Sequence, residues 1–418
     1  MERVTETLGD LYGMHWPYKQ HNTSRDQRLL PYHEELKKKG ACFGVSGEYE
    51  RPMWYQLNNE KPEYKYSFDY QNWYPSVEFE TKNTITNVGL YELSPFSKYE
   101  IKGESAHSEL QRICTANIKD EIGRSTYTQM LNEAGGIETD LTVICINKNN
   151  FRIISSAATR THDKAHIIKH LSSDLEFNDI TDSLVCLGVF GPKSRNLISK
   201  ISKDNFENEV FKFGYGKFII LGSKKVWAQR LSYVGELGFE IYIDINDAKE
   251  IYQLIVSEGK NHNLSHCGSH AMDTMRMESG FLHWGHDISP EENQYEAGLN
   301  FAISYKKEID FIGKESLLKI KNKKQNKRFI MLSLKDSNPG TPLLLHEEPI
   351  YLNNNIIGRT TSGNYSFNYK KNLSFGYVKS SYLNKELAEM DLYIEVAKQK
   401  YPVKVELTSL KNKQVKLL

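Results

Sequence analysis

The sequence predicts an α+β fold of two mixed helix-and-strand layers followed by a C-terminal antiparallel β-barrel. Helix and strand patterns alternate from about residue 75, and several connections between them are short enough to suit antiparallel pairing. After about residue 328, short strand patterns are separated by turns rich in Asn, Gly, Ser and Lys, which is typical of a small barrel or sandwich. The length of 418 residues is enough for two to four domains of about 100–200 residues each.

Composition argues against several classes of protein. The 54 basic and 53 acidic side chains give a net charge of +1, which does not suit a general binder of nucleic acids or membrane surfaces. No apolar run approaches the roughly 20 residues of a membrane-spanning helix. The first residues carry acids and lack the apolar core of a signal peptide. The five cysteines form no CxxC pair and no zinc spacing. We therefore expect a cytoplasmic protein with reduced thiols and no metal.

The individual segments support this architecture. Residues 1–60 are rich in aromatic residues and prolines, and we expect them to pack on a larger body rather than form a floppy tail. In the middle of the chain, strands are predicted at 99–102, 141–146, 151–155, 184–190, 226–231 and 239–243, and helices at 105–113, 161–171, 194–201, 248–259 and 266–277. Residues 130–136 predict a bend, and the lysine-rich residues 319–327 a linker. The predicted barrel strands are 328–332, 349–351, 355–359, 374–378 and 392–396.

Common nucleotide-binding and hydrolase motifs are missing from the sequence. It contains no GxGxxG, Walker A, HExxH or GxSxG motif. Its glycine clusters at 135–136 and 235–238 have the wrong spacing for a phosphate loop. We therefore do not expect a flavin or a nicotinamide to be bound within this chain.

Residues 132–142 (NEAGGIETDLT) place a carboxylate beside a double glycine, at the start of a predicted buried strand. The glycines allow the backbone to bend or to approach a ligand closely. Asp140 is costly in such a place unless it has a partner, and a carboxylate there can orient an amine nucleophile or stabilise a developing cation. The alternative is that Asp140 caps a turn.

Residues 233–240 (YVGELGFE) predict a glycine-hinged bend between two strands. Glu240 lies just inside the second strand, where it can point into a pocket beside Tyr233. A carboxylate can pair with an aminopyrimidine edge through two hydrogen bonds, much as it pairs with a guanidinium. The alternative is an ordinary hairpin with exposed acids.

Residues 273–287 (DTMRMESGFLHWGHD) and 358–366 (GRTTSGNYS) are two further polar segments. Asp273 and Arg276 are three residues apart on a predicted helix, and we expect them to pair. The two histidines of the first segment match no common ligand set, so we expect no metal there. The second segment predicts a strand followed by a small-polar turn.

Together, in this order, these segments resemble the folate-binding aminomethyltransferase family, to which the T-protein of the glycine cleavage system belongs. The motifs GGIxxDL, YxGExGxE, DxxRxExG and GxxTSG carry the likeness, which runs from about residue 75 to the C terminus. The segments GGIETDLTV, HWGHD and DFIGKE most resemble the C-terminal, folate-binding half of dimethylglycine and sarcosine dehydrogenases. The resemblance implies a T-protein-like fold. Residues 1–74 would be a connecting segment like the flavin-to-folate linker of those enzymes, 75–327 the folate-binding domain and 328–418 the barrel domain.

The resemblance also implies roles for single residues. Asp140 matches the aspartate that the family uses beside the reactive folate nitrogens, and it is the expected catalytic residue. Thr142 resembles a folate-contacting threonine of the oxidase branch, and Tyr233 and Glu240 resemble ligands of the pteridine side. The implied cofactor is tetrahydrofolate.

The contact with the folate tail is where this chain departs from the family. Arg276 belongs to the DxxRxE motif and is an expected cofactor contact. The T-protein has a second arginine directly before the aspartate of that motif, and here the position is Met272. One cation for the glutamate tail of folate is thereby lost, and His270 is the nearest polar substitute.

The function implied by the resemblance is tetrahydrofolate-dependent one-carbon transfer in the demethylation of a methylated amine such as dimethylglycine or sarcosine. A separate flavin oxidoreductase would oxidise the amine. The alternative is a stand-alone demethylase of a sulfonium or quaternary ammonium donor such as dimethylsulfoniopropionate, with the aromatic N-terminal segment as a cation-binding lid. A non-catalytic folate-binding subunit is a third hypothesis, and the presence of Asp140, Tyr233 and Glu240 argues against it.

Overall fold

The computed structural model describes residues 1–382 and 390–411. Residues 383–389 and 412–418, which belong to the predicted barrel domain, lie outside the described residues. The described strands form a two-stranded hairpin, a six-stranded sheet, a five-stranded sheet and a closed barrel. No helix within the described residues has the length and apolar character needed to cross a membrane.

The N-terminal segment packs on the rest of the molecule, as its aromatic content predicts. Its elements are α1 (Glu2–Asp10), α2 (His33–Lys38), β1 (Ala41–Ser46) and β2 (Tyr49–Tyr55), and the two strands pair antiparallel. Tyr32 and Trp54 are fully buried. The buried carboxyl group of Glu80 accepts hydrogen bonds from the backbone N–H groups of Tyr55 (2.7 Å) and Gly268 (2.8 Å), which ties this hairpin to the following domain.

The middle of the chain forms two sheets with their covering helices. The helices are α3 (Tyr74–Thr86), α4 (Ala106–Ile113), α5 (Arg160–His170), α6 (Ser194–Ile201), α7 (Ala248–Gly259), α8 (Ser269–Glu278) and α9 (Lys314–Lys321). The strands are β3 (Val88–Glu92), β4 (Ser97–Lys102), β5 (Ser125–Leu131), β6 (Ile137–Asn147), β7 (Asn150–Ser155), β8 (Glu176–Asp179), β9 (Leu184–Phe190), β10 (Gly216–Leu221), β11 (Lys224–Gln229), β12 (Gly238–Asp244) and β13 (Leu264–Cys267). One sheet has the order β10-β11-β12-β9-β3-β13 and the other the order β5-β6-β7-β4-β8. All pairs are antiparallel except β3–β13.

Alternation along the strands gives each sheet an outer apolar face and an inner face. In β12, Phe239 and Ile241 join the core that also contains residues of α6 and α7. In β6, Leu141 and Val143 join the core that also contains residues of α4 and α5. Because successive side chains of a strand point to opposite faces, the residues between them face away from those helices. The inner faces of the two sheets therefore form the walls of a cavity.

The C-terminal barrel is closed and antiparallel. Its strands are β14 (Lys327–Leu334), β15 (Pro349–Leu352), β16 (Asn355–Ser366), β17 (Lys371–Lys379), β18 (Leu392–Val396) and β19 (Gln399–Glu406). Their order is β14-β17-β16-β15-β18-β19, with β19 paired again to β14. Buried aliphatic side chains such as Leu332, Ile350 and Ile394 fill the interior.

Several predicted elements match the structure in their bounds, namely the strands 184–190 and 392–396 and the helices 194–201 and 248–259. Others need correction. The helix predicted over 266–277 begins only at Ser269, because residues 264–267 extend the sheet as β13 beside β3. The bend predicted from residue 130 begins after Leu131, since β5 runs that far. The turn predicted within 358–366 is wrong: β16 continues to Ser366 with a bulge near Thr361. The predicted linker is shorter, because α9 extends to Lys321 and β14 starts at Lys327.

Candidate functional site

A cavity of about 850 Å³ lies between the inner faces of the two sheets. Helix α8 forms part of its wall, residues 15–18 of the N-terminal segment cover it, and barrel residues 345–346 and 362–363 complete it. The six site residues predicted from the sequence all line this cavity: Asp140, Thr142, Tyr233, Glu240, His270 and Arg276.

Asp140 lies within β6 and not at its start, so the turn-capping alternative is wrong. Its partner in the strand register is Gln129 of β5, whose side-chain amide donates to Asp140 Oδ1 at 2.7 Å. The buried Gln294 amide in turn donates to Gln129 Oε1 at 2.5 Å, which fixes the orientation of the Gln129 amide. Burial raises the pKa of the Asp140 carboxyl group to about 6. The carboxyl group is therefore held in place and is mostly ionised at neutral pH.

Three further residues that the resemblance assigns to folate binding, Thr142, Tyr233 and Glu240, line the same cavity as Asp140. Thr142 is two residues further along β6 and lies on the same face. Glu240 accepts a hydrogen bond from the Tyr242 hydroxyl at 2.7 Å, and burial raises the pKa of its carboxyl group. The Tyr233 hydroxyl donates to the Leu282 carbonyl oxygen at 2.8 Å, which holds the phenol ring against the cavity. Glu240 is not on an exposed hairpin, so the alternative for this segment is wrong as well.

Arg276 pairs with Asp273 at 2.9 Å, as predicted, and the structure adds further partners. Its guanidinium also contacts Asp287 at 2.6 Å and the Ser362 hydroxyl at 2.9 Å. The Ser362 and Thr361 hydroxyls both donate to Asp287 Oδ1. The small-polar residues of β16 therefore connect the barrel to α8. Most of the hydrogen-bonding capacity of Arg276 is used within the protein.

His270 lines the cavity in a neutral form. Its Nε2 atom lies 2.9 Å from the Tyr64 hydroxyl oxygen, and its ring stacks on Trp73 with a centroid distance of 4.0 Å. Burial lowers its pKa to about 4. At neutral pH it can offer a ligand a hydrogen bond but no positive charge, and its contact with a folate tail stays a prediction.

Three polar residues of this region were missed by the sequence analysis. Gln129 and Gln294 lie far from Asp140 in sequence and belong to no motif, so only the strand register reveals them. Arg51 of β2 also lines the cavity. The sequence shows that Arg51 belongs to an aromatic-rich run, but nothing in the sequence indicates that it lies close to α8.

Two family models cover most of the chain. Residues 32–307 match the GCVT N-terminal domain, and residues 327–410 match the glycine cleavage T-protein C-terminal barrel domain. The chain belongs to the T-protein family of aminomethyltransferases. The fold agrees with this: the crystal structure of the glycine cleavage system aminomethyltransferase T from Bartonella henselae superposes with a TM-score of 0.78 at 21% identity. It covers 92% of this chain and 98% of that chain.

Curated relatives of this T-protein family member include two amine-oxidising enzymes. The 4-methylaminobutanoate oxidase (formaldehyde-forming) of Paenarthrobacter nicotinovorans is 37% identical over 87% of this chain and 44% of its own length. The mitochondrial dimethylglycine dehydrogenase of Rattus norvegicus is 32% identical over 88% of this chain and 42% of its own length. The chain thus spans less than half of each of these relatives.

Proposed function

We propose that the chain binds tetrahydrofolate in this cavity and transfers to it a one-carbon unit from a methylated amine such as dimethylglycine or sarcosine. A separate flavin oxidoreductase oxidises the amine to an iminium before the transfer. The observation that carries this proposal is the partly buried carboxyl group of Asp140, held by Gln129 in the wall of a cavity that Tyr233 and Glu240 also line.

The residues in the wall suit a reduced pterin. The Glu240 carboxylate accepts one intramolecular hydrogen bond from a side chain, so it has further lone pairs for an aminopyrimidine edge. The rings of Tyr127, Tyr233 and Trp284 line the same cavity and provide flat apolar contact area. Bound tetrahydrofolate supplies the nitrogen nucleophile that accepts the one-carbon unit.

The protein contributes electrostatics and positioning. The ionised Asp140 carboxylate orients the amine nucleophile and stabilises positive charge that develops beside it, and its orientation does not have to change during the reaction because Gln129 holds it. Residues 15–18 cover the cavity and limit the access of water to a reactive iminium. Alignment of two reactants in such a site contributes up to about 7–11 kcal/mol to lowering the barrier.

A product assay tests the proposal. The purified chain is incubated with tetrahydrofolate and either dimethylglycine or sarcosine, with and without an added flavin amine oxidase, and the folate product is identified by mass spectrometry. We expect 5,10-methylenetetrahydrofolate to form enzymatically only when the oxidase is present, and Asp140→Asn to reduce its formation to the uncatalysed rate. Equal product formation by wild type and Asp140→Asn contradicts the proposed role.

The aromatic covering of the cavity favours one second candidate. Trp16 and Tyr18 lie in its wall, and aromatic faces attract quaternary ammonium and sulfonium groups. A stand-alone demethylase would transfer a methyl group from the sulfonium of dimethylsulfoniopropionate to a nitrogen of tetrahydrofolate, which gives a methylated folate, a neutral thioether and a proton with no oxidase present. The same assay with this donor therefore distinguishes the two functions.

A further inference from the structure

Arg51 is a cationic side chain in the cavity wall whose role the proposed function leaves open. It lies on β2, on the hairpin that Glu80 ties to α8. Its guanidinium Nη2 atom is 3.9 Å from the sulfur of Met272, and its Cζ atom lies 5.7 Å from the centre of the Phe96 ring. All three side chains line the cavity, so an apolar ring and a thioether flank the guanidinium on the ligand side.

The other strong bases of the wall have oxygen partners. The ammonium group of Lys98 donates to the carbonyl oxygens of Ser94 and Phe96, both at 2.7 Å. Arg276 pairs with Asp273 and Asp287. Carboxylates of the protein neutralise Arg276, and backbone carbonyl oxygens solvate Lys98. Neither cation therefore needs a ligand to compensate its charge.

Arg51 differs, because no carboxylate in the described part of the chain lies within 4 Å of it and none of its N–H groups donates to an oxygen there. The nearby carboxyl groups have other donors. Glu92 accepts from the Tyr32 hydroxyl and the Ser94 N–H, and Asp273 accepts from Arg276 and Asn364. Burial lowers the pKa of the Arg51 guanidinium only to about 10, so it stays charged at neutral pH.

A partly buried guanidinium without an acceptor is unfavourable, and the cost is recovered when a ligand supplies one. The planar guanidinium matches a carboxylate best, since two parallel N–H groups meet its two oxygens. We propose that Arg51 forms a carboxylate subsite of the cavity, which anchors an anionic end of the ligand next to Met272. This inference rests on the proposed function, and the carboxylate belongs either to the glutamate tail of the folate or to an amino-acid substrate.

Titrations with ligands that differ in their carboxylates test this subsite. Tetrahydrofolate, 6-methyltetrahydropterin (which has no carboxylate) and dimethylglycine are titrated calorimetrically into wild type, Arg51→Met and Arg51→Lys. Arg359→Met, which removes an exposed arginine paired with Glu347 in the barrel, is the matched control. We expect Arg51→Met to weaken tetrahydrofolate about 10- to 100-fold, Arg51→Lys to weaken it less, and the control to change nothing. Loss confined to dimethylglycine assigns the subsite to the amine substrate instead.

The contact with Met272 allows a rescue experiment. Because the two side chains touch, an arginine at 272 can bring its guanidinium near the place that Arg51 occupies. The double variant Arg51→Met/Met272→Arg should therefore recover most of the lost affinity. Met272→Arg alone should not improve binding, since it sets two cations side by side. Recovery shows that Arg51→Met failed for lack of charge and not through misfolding.

Two outcomes overturn the subsite. One is unchanged affinity of Arg51→Met for both tetrahydrofolate and dimethylglycine. The other is an equal loss for 6-methyltetrahydropterin, which would assign Arg51 to the pterin end or to the fold. The proposed function fails separately, when wild type binds neither tetrahydrofolate nor 6-methyltetrahydropterin. In that case the dimethylglycine titration alone decides the subsite.

Discussion

Replacing Asp140 by asparagine should stabilise the ligand-free protein, and the same substitution should abolish one-carbon transfer. The two side chains have nearly the same shape, and the asparagine oxygen can still accept the hydrogen bond from Gln129. Unlike the carboxyl group of aspartate, the amide of asparagine cannot ionise. The substitution therefore removes a charge that is unfavourable in this partly buried place. The charge of Asp140 thus lowers the free energy of unfolding of the wild-type protein, and a neutral residue at this position should raise it.

The size of this effect follows from the pKa. Burial raises the pKa of Asp140 from 3.8 to about 6, so the folded protein holds the proton over a pH range in which the unfolded chain has released it. Stability is therefore lost as pH rises from about 4 to above 6. At 1.36 kcal/mol per pKa unit the loss is at most about 3 kcal/mol at pH 8 and about 2 kcal/mol at pH 5.5. The asparagine variant does not lose this free energy of unfolding, because its side chain does not ionise.

Urea unfolding at pH 8 and pH 5.5, monitored by circular dichroism and by tryptophan fluorescence, measures the difference in free energy of unfolding between the variant and wild type. Asp140→Asn should be more stable than wild type at both pH values, with the larger gain at pH 8. Asp310→Asn is the control, because the Asp310 carboxylate is exposed and its removal should change stability by no more than about 0.5 kcal/mol. An asparagine variant that is less stable than wild type, or whose gain does not depend on pH, would refute the reasoning.

Three other predictions use separate measurements. The rate of folate-dependent transfer at saturating substrates should fall about tenfold per pH unit below about pH 6, since protonated Asp140 carries no charge; a flat profile down to pH 5 would contradict this. Gln129→Glu places a second carboxyl group against Asp140, so the acidic limb of the same pH profile should move to higher pH, which a purely structural role of Gln129 would not produce. Glu80→Ala leaves two buried N–H groups without an acceptor and should lower the free energy of unfolding by about 2–4 kcal/mol in urea melts. Glu78→Ala, which removes a partly exposed carboxylate paired with Lys82 on the same helix, is its control, and an equal effect of both variants would rule out the proposed reason.

The sequence predicts many of the elements and six residues of the cavity wall, because local patterns and short motifs carry that information. The glycine-containing segments predict Asp140 at the start of a buried strand and Glu240 just inside another, with a turn cap and an exposed hairpin as alternatives, and the resemblance to the family assigns both residues to the site. The spacing of Asp273 and Arg276 on one helix likewise predicted their ion pair.

The residues that were missed depend on contacts between distant parts of the chain. Gln129 faces Asp140 only through the register of β5 and β6, and Arg51 meets Met272 across 221 residues. The small-polar residues near the end of β16 predict a turn, because such residues favour turns. In the folded protein its hydroxyl groups hold Asp287 and Arg276, and that tertiary contact outweighs the local preference.

The charges that remain in the cavity after internal pairing indicate what it binds. Arg276 neutralises Asp273, whereas Asp140 and Glu240 have no basic partner within 4 Å among the described residues. Arg51 conversely has no acidic partner there. Such a wall is complementary to a ligand that carries both amino donors and a carboxylate, and a purely cationic ligand would leave Arg51 uncompensated. A sulfonium or methylated amine that itself bears a carboxylate also satisfies Arg51, but it does not fill about 850 Å³. The proposed combination of tetrahydrofolate and such a donor is consistent with both the charge pattern and the volume of the cavity.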